Sequence, residues 1–247
     1  MSGTLGAYWW RGGGVQGGIP NFGDRLAPLL LAYHADLPVR WAALEDADVV
    51  CTGSILDYLP PRWNGYVVGS GKLREHSRPD LSHAQVLALR GPLTAQGVRG
   101  DYALGDPGLL AGEMIELPVK EFDLGIVPHW SDSTLADNPT FARYHPLIID
   151  PRDEPLEVVR QIASCKKIVS SSLHGIIVAD SFAIPRRFEY TPRFDREGGT
   201  FKFRDYSLSI HTPWVVGKTI EANRFGVDDC RFALHDAFRE LASRVRA

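Results

Sequence analysis

Cysteine is scarce in this chain, and so is any long apolar run. Only Cys51, Cys165 and Cys230 occur in 247 residues. They are widely spaced and form no CxxC pair, so zinc held by cysteine is not expected. An odd, sparse set predicts a reducing compartment. No apolar run approaches the roughly 20 residues of a membrane span. The opening residues, "MSGTLGAYWWRGGG", lack a basic segment followed by an apolar one, so no signal peptide is predicted. A surplus of either charge is missing too. The 27 Lys and Arg face 30 Asp and Glu, for a net charge of -3 and a pI of about 6.2. That balance argues against nucleic acid as a partner. These absences predict a cytoplasmic chain without a transmembrane segment, with peripheral contact at the inner membrane face left open.

Hydrophobic residues make up 44% of the chain, beside 24 glycines and 17 prolines. That is ample for one large or two small domains. "LGAYWW", "DVVCTGS", "GYVVGS" and "AQVLALRG" read as short buried strands ending in small residues. Leu26, Leu29, Leu30 and Tyr33 recur at helical spacing, with Asn21 or Asp24 as a possible cap. "GPLTAQG" has a proline and a glycine placed to start and end a short helix. In the second half "FDLGIVPHW", "HPLIID", "KKIVSSS" and "RRFEY" read as strands. Helices are expected after Asp153, over "LHGIIVADSFAIP", and from Asp228 onward, where Leu234, Phe238, Leu241 and Val245 share one face. The last of these has early acids and late arginines, as the helix dipole prefers. Alternating strands and helices predict an α/β fold with parallel sheets. The polar stretch Glu116 to Phe122 is the expected junction between a domain of residues 1–118 and one of residues 119–247. Two doubly wound domains facing a cleft are the preferred architecture, and one continuous sheet is the alternative.

Two glycine-rich stretches invite a nucleotide-binding reading. Gly12 to Gly17 formally matches GxGxxG, but Ile19-Pro20 follow where a helix should begin, so a plain loop is the better reading. Gly69 to Lys72, "GSGK", lacks the spacing and the hydroxyl residue of a phosphate loop.

Other positions carry chemistry. "NFGD", Asn21 to Asp24, sits where a loop meets a helix, either as a cap or as polar groups presented to a ligand. Arg90 follows the strand "VLAL", where open α/β sheets bind ligands and where a guanidinium can fork onto a carboxylate or phosphate. A surface salt bridge is the alternative. Asp106, before Pro107, reads as turn chemistry. His129 closes the strand "LGIV" and suits an acid, a base or simple packing on Trp130. Ser170 to Ser172 form a strand-to-helix turn that puts His174 in the first helical turn. Free N–H groups and the positive dipole end make an anion site there and disfavour a protonated His174. A bound dianion reverses that preference and readies the imidazole for proton transfer. Lys202 and Arg204 follow a glycine-containing loop, either on a mobile lid or simply solvated.

Taken in order, "NFGD", "ALRGPLTA", "LGDPGLL", "VPHW" and "SSSLHGIIVADSFAIP" resemble the polysaccharide pyruvyl transferase family. The resemblance runs from about residue 20 to 206. It implies two Rossmann-like domains around a central cleft, as in glycosyltransferases of the GT-B type. It also implies transfer of pyruvate from phosphoenolpyruvate to a sugar of a surface polysaccharide or glycolipid, the acceptor being free or lipid-linked. The product is a cyclic ketal, phosphate is released, and no cofactor or metal is needed. On that basis His174 is the expected acid, with His129 or Asp24 acting on the acceptor. Arg90, Ser171, Ser172, Asn21, Gly23, Lys202 and Arg204 are the expected substrate-binding positions. Some family members carry arginine directly before the Leu-His pair, where this chain has Ser172, so the donor's cation must come from Arg90, Lys202 or Arg204. The alternatives are a nucleotide-sugar glycosyltransferase of the same fold and a catalytically degenerate protein that binds glycan or anion.

Overall fold

The computed structural model describes residues 4–12, 18–195 and 198–247. Gly13 to Gly17 of the first glycine-rich stretch, and Arg196 and Glu197 of "REGGT", lie outside the described residues.

Two sheets form. In the first, β1 (Leu5–Tyr8), β2 (Val39–Trp41), β3 (Val49–Val50), β4 (Tyr66–Val68), β5 (Gln85–Leu89) and β6 (Ala103–Leu104) run in the order β2-β1-β3-β4-β5-β6. Every pairing in it is parallel. In the second, β7 (Gly125–Val127), β8 (Leu147–Ile148), β9 (Ile168–Ser170), β10 (Arg186–Phe188) and β11 (Thr219–Ile220) run in the order β11-β10-β9-β7-β8. Only the edge strand β11 is antiparallel. The central strands alternate between two buried faces. Val49 and Val68 join the main core while Val50 and Val67 join a second cluster behind the first sheet, and Val127 and Ile126 part in the same way in the second.

The main core is continuous across both sheets. It is filled by α1 (Phe22–His34), α3 (Pro155–Ala163), α4 (Leu173–Ser181), the 3-10 stretch 107–114 and α6 (Arg224–Arg246), with short α2 (Pro139–Ala142) lying outside it. Every residue of α4 is buried, which is why its sequence is apolar on all sides rather than striped. The last helix begins at Arg224, four residues before the expected start, and packs against β4, β5 and β6 of the first sheet. The expected helix over "GPLTAQG" is instead a run of turns. The outer face of the first sheet is therefore covered by 3-10 turns and loops.

Lys202 and Arg204 lie on a helix, α5 (Phe201–Ser209), that sequence periodicity did not announce. Its buried side includes Asp205 and Tyr206. Asp205 accepts hydrogen bonds from Arg90 Nε (3.0 Å), from the Leu93 and Thr94 amides (2.9 Å each) and from Thr94 Oγ1 (2.6 Å), all following β5. Tyr206 donates to Asp180 Oδ2 (3.0 Å) at the end of α4, where Arg186 of β10 also donates. Adjacent residues of α5 thus bind one sheet system each. Gly91 permits the close approach: a Cβ there would lie 2.1 Å from the Asp205 carbonyl oxygen. Among the described residues no helix is long and apolar enough to cross a membrane.

Candidate active site

Both sheets reverse strand order next to the same space. In the first, β1 lies between β2 and β3; in the second, β7 lies between β8 and β9. Open α/β sheets bind ligands beyond the carboxyl ends of strands at such switch points. The segments after β1, β3, β7 and β9 contribute Trp10, Ser54, His129 and Ser172 to one cleft of about 600 Å³. Helices α1 and α4 start there, so their positive dipole ends converge on it.

Gly23 and His174 are where α1 and α4 meet. A Cβ on Gly23 would lie 2.0 Å from His174 Nδ1, so only glycine lets the imidazole seat against α1. Thr52 Oγ1 holds the Gly23 carbonyl oxygen (3.0 Å). Asn21 occupies the N-cap position of α1, yet its side chain makes no capping bond; it donates to Asp24 Oδ2 (2.6 Å). The other oxygen of Asp24 packs on Gly53, whose φ of +88° and lack of Cβ leave it room.

His174 therefore sits among carboxylates. Asp24 faces the cleft beside it, and Asp106 lies behind, with Oδ1 3.8 Å from His174 Nε2. Asp106 does cap the 3-10 stretch, accepting from the Gly108 amide (2.9 Å). Its Oδ2, like His174 Nε2, is buried without a hydrogen-bond partner. Burial pushes His174 down to about 4, Asp24 holding it up and Lys202 and Arg90 pushing it further down. Burial likewise lifts Asp106 to about 6 and raises Asp24. The imidazole is thus neutral at pH 7, chiefly through desolvation rather than through the helix dipole.

The serines of the turn have separate tasks. Ser170 Oγ donates to the Val127 carbonyl oxygen (2.8 Å) and accepts from the Ser172 amide (2.9 Å). Ser171 Oγ is fully buried and accepts from the His129 amide (2.9 Å), away from the cleft wall. Ser172 caps α4 through the Gly175 amide (3.4 Å) and does line the cleft. His129 also lines it, with Nδ1 2.7 Å from Ser131 Oγ and its ring between Trp130 and Phe194.

The expected cations divide. Lys202 reaches the cleft. Arg204 pairs with Glu75 at the surface (3.5 Å). Arg90 is fully buried and absent from the cleft lining: Nε is bound to Asp205, Nη1 donates to Ser54 Oγ (2.8 Å) and Nη2 to the Lys72 carbonyl oxygen (2.6 Å). "GSGK" is its cradle, since a Cβ on Gly71 would lie 2.3 Å from the guanidinium carbon. Arg74, which sequence reading passed over, lines the cleft with an exposed side chain that pairs with nothing else among the described residues. Its signal was weaker: it lies in the loop after β4, well past the strand end, whereas Arg90 directly follows β5. The aromatic wall was missed as well. Trp10 and Trp130, one from each sheet system, have ring centroids 4.7 Å apart, and Tyr8 and Tyr58 complete that side. Such rings offer an apolar body to a sugar face.

The chain is 32% identical over 213 residues to succinoglycan biosynthesis protein ExoV of Rhizobium meliloti (strain 1021), covering 82% of this chain and 64% of that protein. It is 32% identical over 194 residues to uncharacterized protein L143 of Acanthamoeba polyphaga mimivirus, covering 68% and 66%. The chain thus spans slightly less than two thirds of either relative. No solved structure matches it. The polysaccharide pyruvyl transferase family matches residues 20–188, a span that includes "NFGD", Asp106, His129 and His174. With this match over more than half its length, the chain belongs to the polysaccharide pyruvyl transferase family.

Proposed function

We propose that this protein transfers pyruvate from phosphoenolpyruvate to a pair of hydroxyls on a polysaccharide sugar, forming a cyclic ketal and releasing phosphate. The observation that carries the reading is His174. It is a buried, neutral imidazole at a helix N-terminus, facing a cleft that also holds Lys202, Arg74 and an aromatic wall. ExoV is named for succinoglycan biosynthesis, which fits a polysaccharide acceptor.

Phosphoenolpyruvate brings a carboxylate and a phosphate. Arg74 and Lys202 suit these two anions, with the free N–H groups at the start of α4 adding directed donors. Binding this charge raises the pKa of His174 and loads it with a proton. His174 gives that proton to the methylene carbon of the donor. Positive charge develops at the neighbouring carbon, where a sugar hydroxyl oxygen bonds and passes its proton to Asp24 or His129. The carbon–oxygen bond to phosphate then breaks, and phosphate leaves with its electron pair. The second hydroxyl adds to the same carbon and loses its proton, closing the ring. Trp10 and Trp130 hold the sugar face meanwhile.

The test is release of phosphate from phosphoenolpyruvate with a defined glycan acceptor, with the ketal methyl signal followed by NMR. Both are expected to appear together and to vanish in His174→Ala. Stabilisation by a nucleoside diphosphate but not by phosphoenolpyruvate would point instead to a glycosyltransferase.

A further inference from the structure

We propose that His34, Glu113 and His235 form a binding site for one divalent transition-metal ion of the zinc class, remote from the cleft. His34 lies in the last turn of α1, Glu113 near the end of the 3-10 stretch 107–114, and His235 midway along α6. One ligand atom from each lies within 4.8 Å of the others. Glu113 Oε2 is 3.2 Å from His235 Nε2 and 3.9 Å from His34 Nδ1. A tetrahedral ion with bonds of about 2.0–2.2 Å holds its ligand atoms about 3.3 Å apart. Small side-chain rotations close the difference. Two imidazoles and a carboxylate are a donor set suited to zinc, cobalt or nickel, with a water in the fourth position.

A simple ion-pair cluster accounts for part of this group only. Arg231 grips Glu113 Oε1 (2.7 Å), and His235 lies beside the same carboxylate. His34 is left over. Its side chain is 3% exposed, Nε2 is buried without a partner, and Nδ1 stops beyond hydrogen-bond reach of Glu113. The Leu110 backbone partners the ring, which leaves one buried nitrogen for a ligand to complete. Arg231 holds Glu113 through Oε1 and so orients the carboxylate toward both imidazoles, with His235 Nε2 3.2 Å from either oxygen.

The ion would fasten three separate segments. α1 begins at the cleft with Gly23 and Asp24, and its 13 residues put His34 about 20 Å away. The 3-10 stretch begins with Asp106 as its cap. The metal's role is thus to hold the elements that carry site residues, and no step of the transfer uses it.

The test treats the whole chain with chelator and then titrates it with zinc by calorimetry and with cobalt by absorption. Expected are one zinc per chain, a rise in melting temperature, and intense cobalt bands in the visible typical of four ligands. His235→Gln, at a side chain 35% exposed, should weaken zinc binding at least tenfold and remove most of the zinc-dependent rise in melting temperature. His34→Gln should abolish the cobalt bands. Absence of one-to-one uptake, or uptake that both variants retain, would overturn the site and leave only adventitious surface histidines.

Discussion

Replacing Arg90 by methionine separates a structural arginine from a ligand-binding one. Methionine keeps much of the length and removes the charge. Asp205 would keep its bonds from Leu93, Thr94 N and Thr94 Oγ1, but its charge would be buried without a counter-ion. Breaking one side of a fully buried pair costs about 3–5 kcal/mol. In a chain of this size each kcal/mol lowers the melting temperature by roughly 2–4 °C, so a fall of about 6–20 °C is expected. Asp205→Asn in the same chain removes the stranded charge while keeping an acceptor for the Leu93 and Thr94 amides. The double variant should therefore be destabilised by less than the sum of the single ones, with a coupling on the order of 2 kcal/mol. Thermal and urea melts measure this, and phosphate release is read well below every midpoint. If Arg90→Met melts like the parent and yet is inactive, the guanidinium reaches the substrate and the structural account of Arg90 is wrong. The contrasting variant is Arg74→Met, with an exposed side chain on the cleft wall. It should leave the melting temperature in place and raise KM for phosphoenolpyruvate tenfold or more.

Three further outcomes follow from the site's geometry. Gly23→Ala puts a methyl 2.0 Å from His174 Nδ1. Displacing the ring should cut kcat by about 100-fold at a stability cost of about 1–3 kcal/mol, read by steady-state rates and melts. Trp130→Ala should raise KM for the glycan on the order of tenfold without changing that for phosphoenolpyruvate, because the aromatic wall suits a sugar face rather than the donor's anions. Asp106→Asn should change stability against pH in a defined direction. A carboxyl lifted from 3.8 to about 6 destabilises the fold above pH 6, by roughly 3 kcal/mol, and less as pH falls toward 3.8. An imidazole lowered from 6.5 to about 4 acts oppositely: its contribution is full above pH 6.5 and lost as pH falls toward 4, again by roughly 3 kcal/mol. The two nearly cancel in the parent. The variant should be more stable at pH 7 and lose stability steeply between pH 6.5 and 4; a flat profile there would show that His174 is not held neutral by burial.

Legibility in the sequence followed the range of each interaction. "SSSLHG" announced a strand, a turn and a capped helix, and these are local. Its place at a strand end marked His174 as a cleft residue for the same reason. Arg90 looked equally well placed, but its partner Asp205 is 115 residues away, and nothing local shows that the guanidinium is already engaged. Asp106 was readable as a cap through Pro107 and Gly108. That the capping oxygen Oδ1 would also lie 3.8 Å from His174 Nε2, with Oδ2 left unpartnered, depends on α4 arriving from another part of the chain. α5 hid because its buried face includes Asp205, Tyr206 and Ser207, so no apolar stripe signals a helix. The charges at Lys202 and Arg204 fitted a lid or a solvated stretch equally well.

Arg90 still matters to the cleft, by an indirect route. Nη1 holds Ser54 Oγ on the wall formed after β3, and Nε holds Asp205 on α5. Lys202 lies one turn before Asp205 on that helix and faces the cleft from it. Tyr206, the next residue, is tied to Asp180 at the far end of the helix that begins with His174. A single buried chain of contacts, Ser54 to Arg90 to Asp205 and on through Tyr206 to Asp180, therefore sets how far Lys202 stands from His174. Lys202 and His174 both line the cleft, and this chain of contacts joins the helices that carry them. The arginine of "ALRGPLTA", a motif inside the family match, is fully buried and absent from the cleft lining.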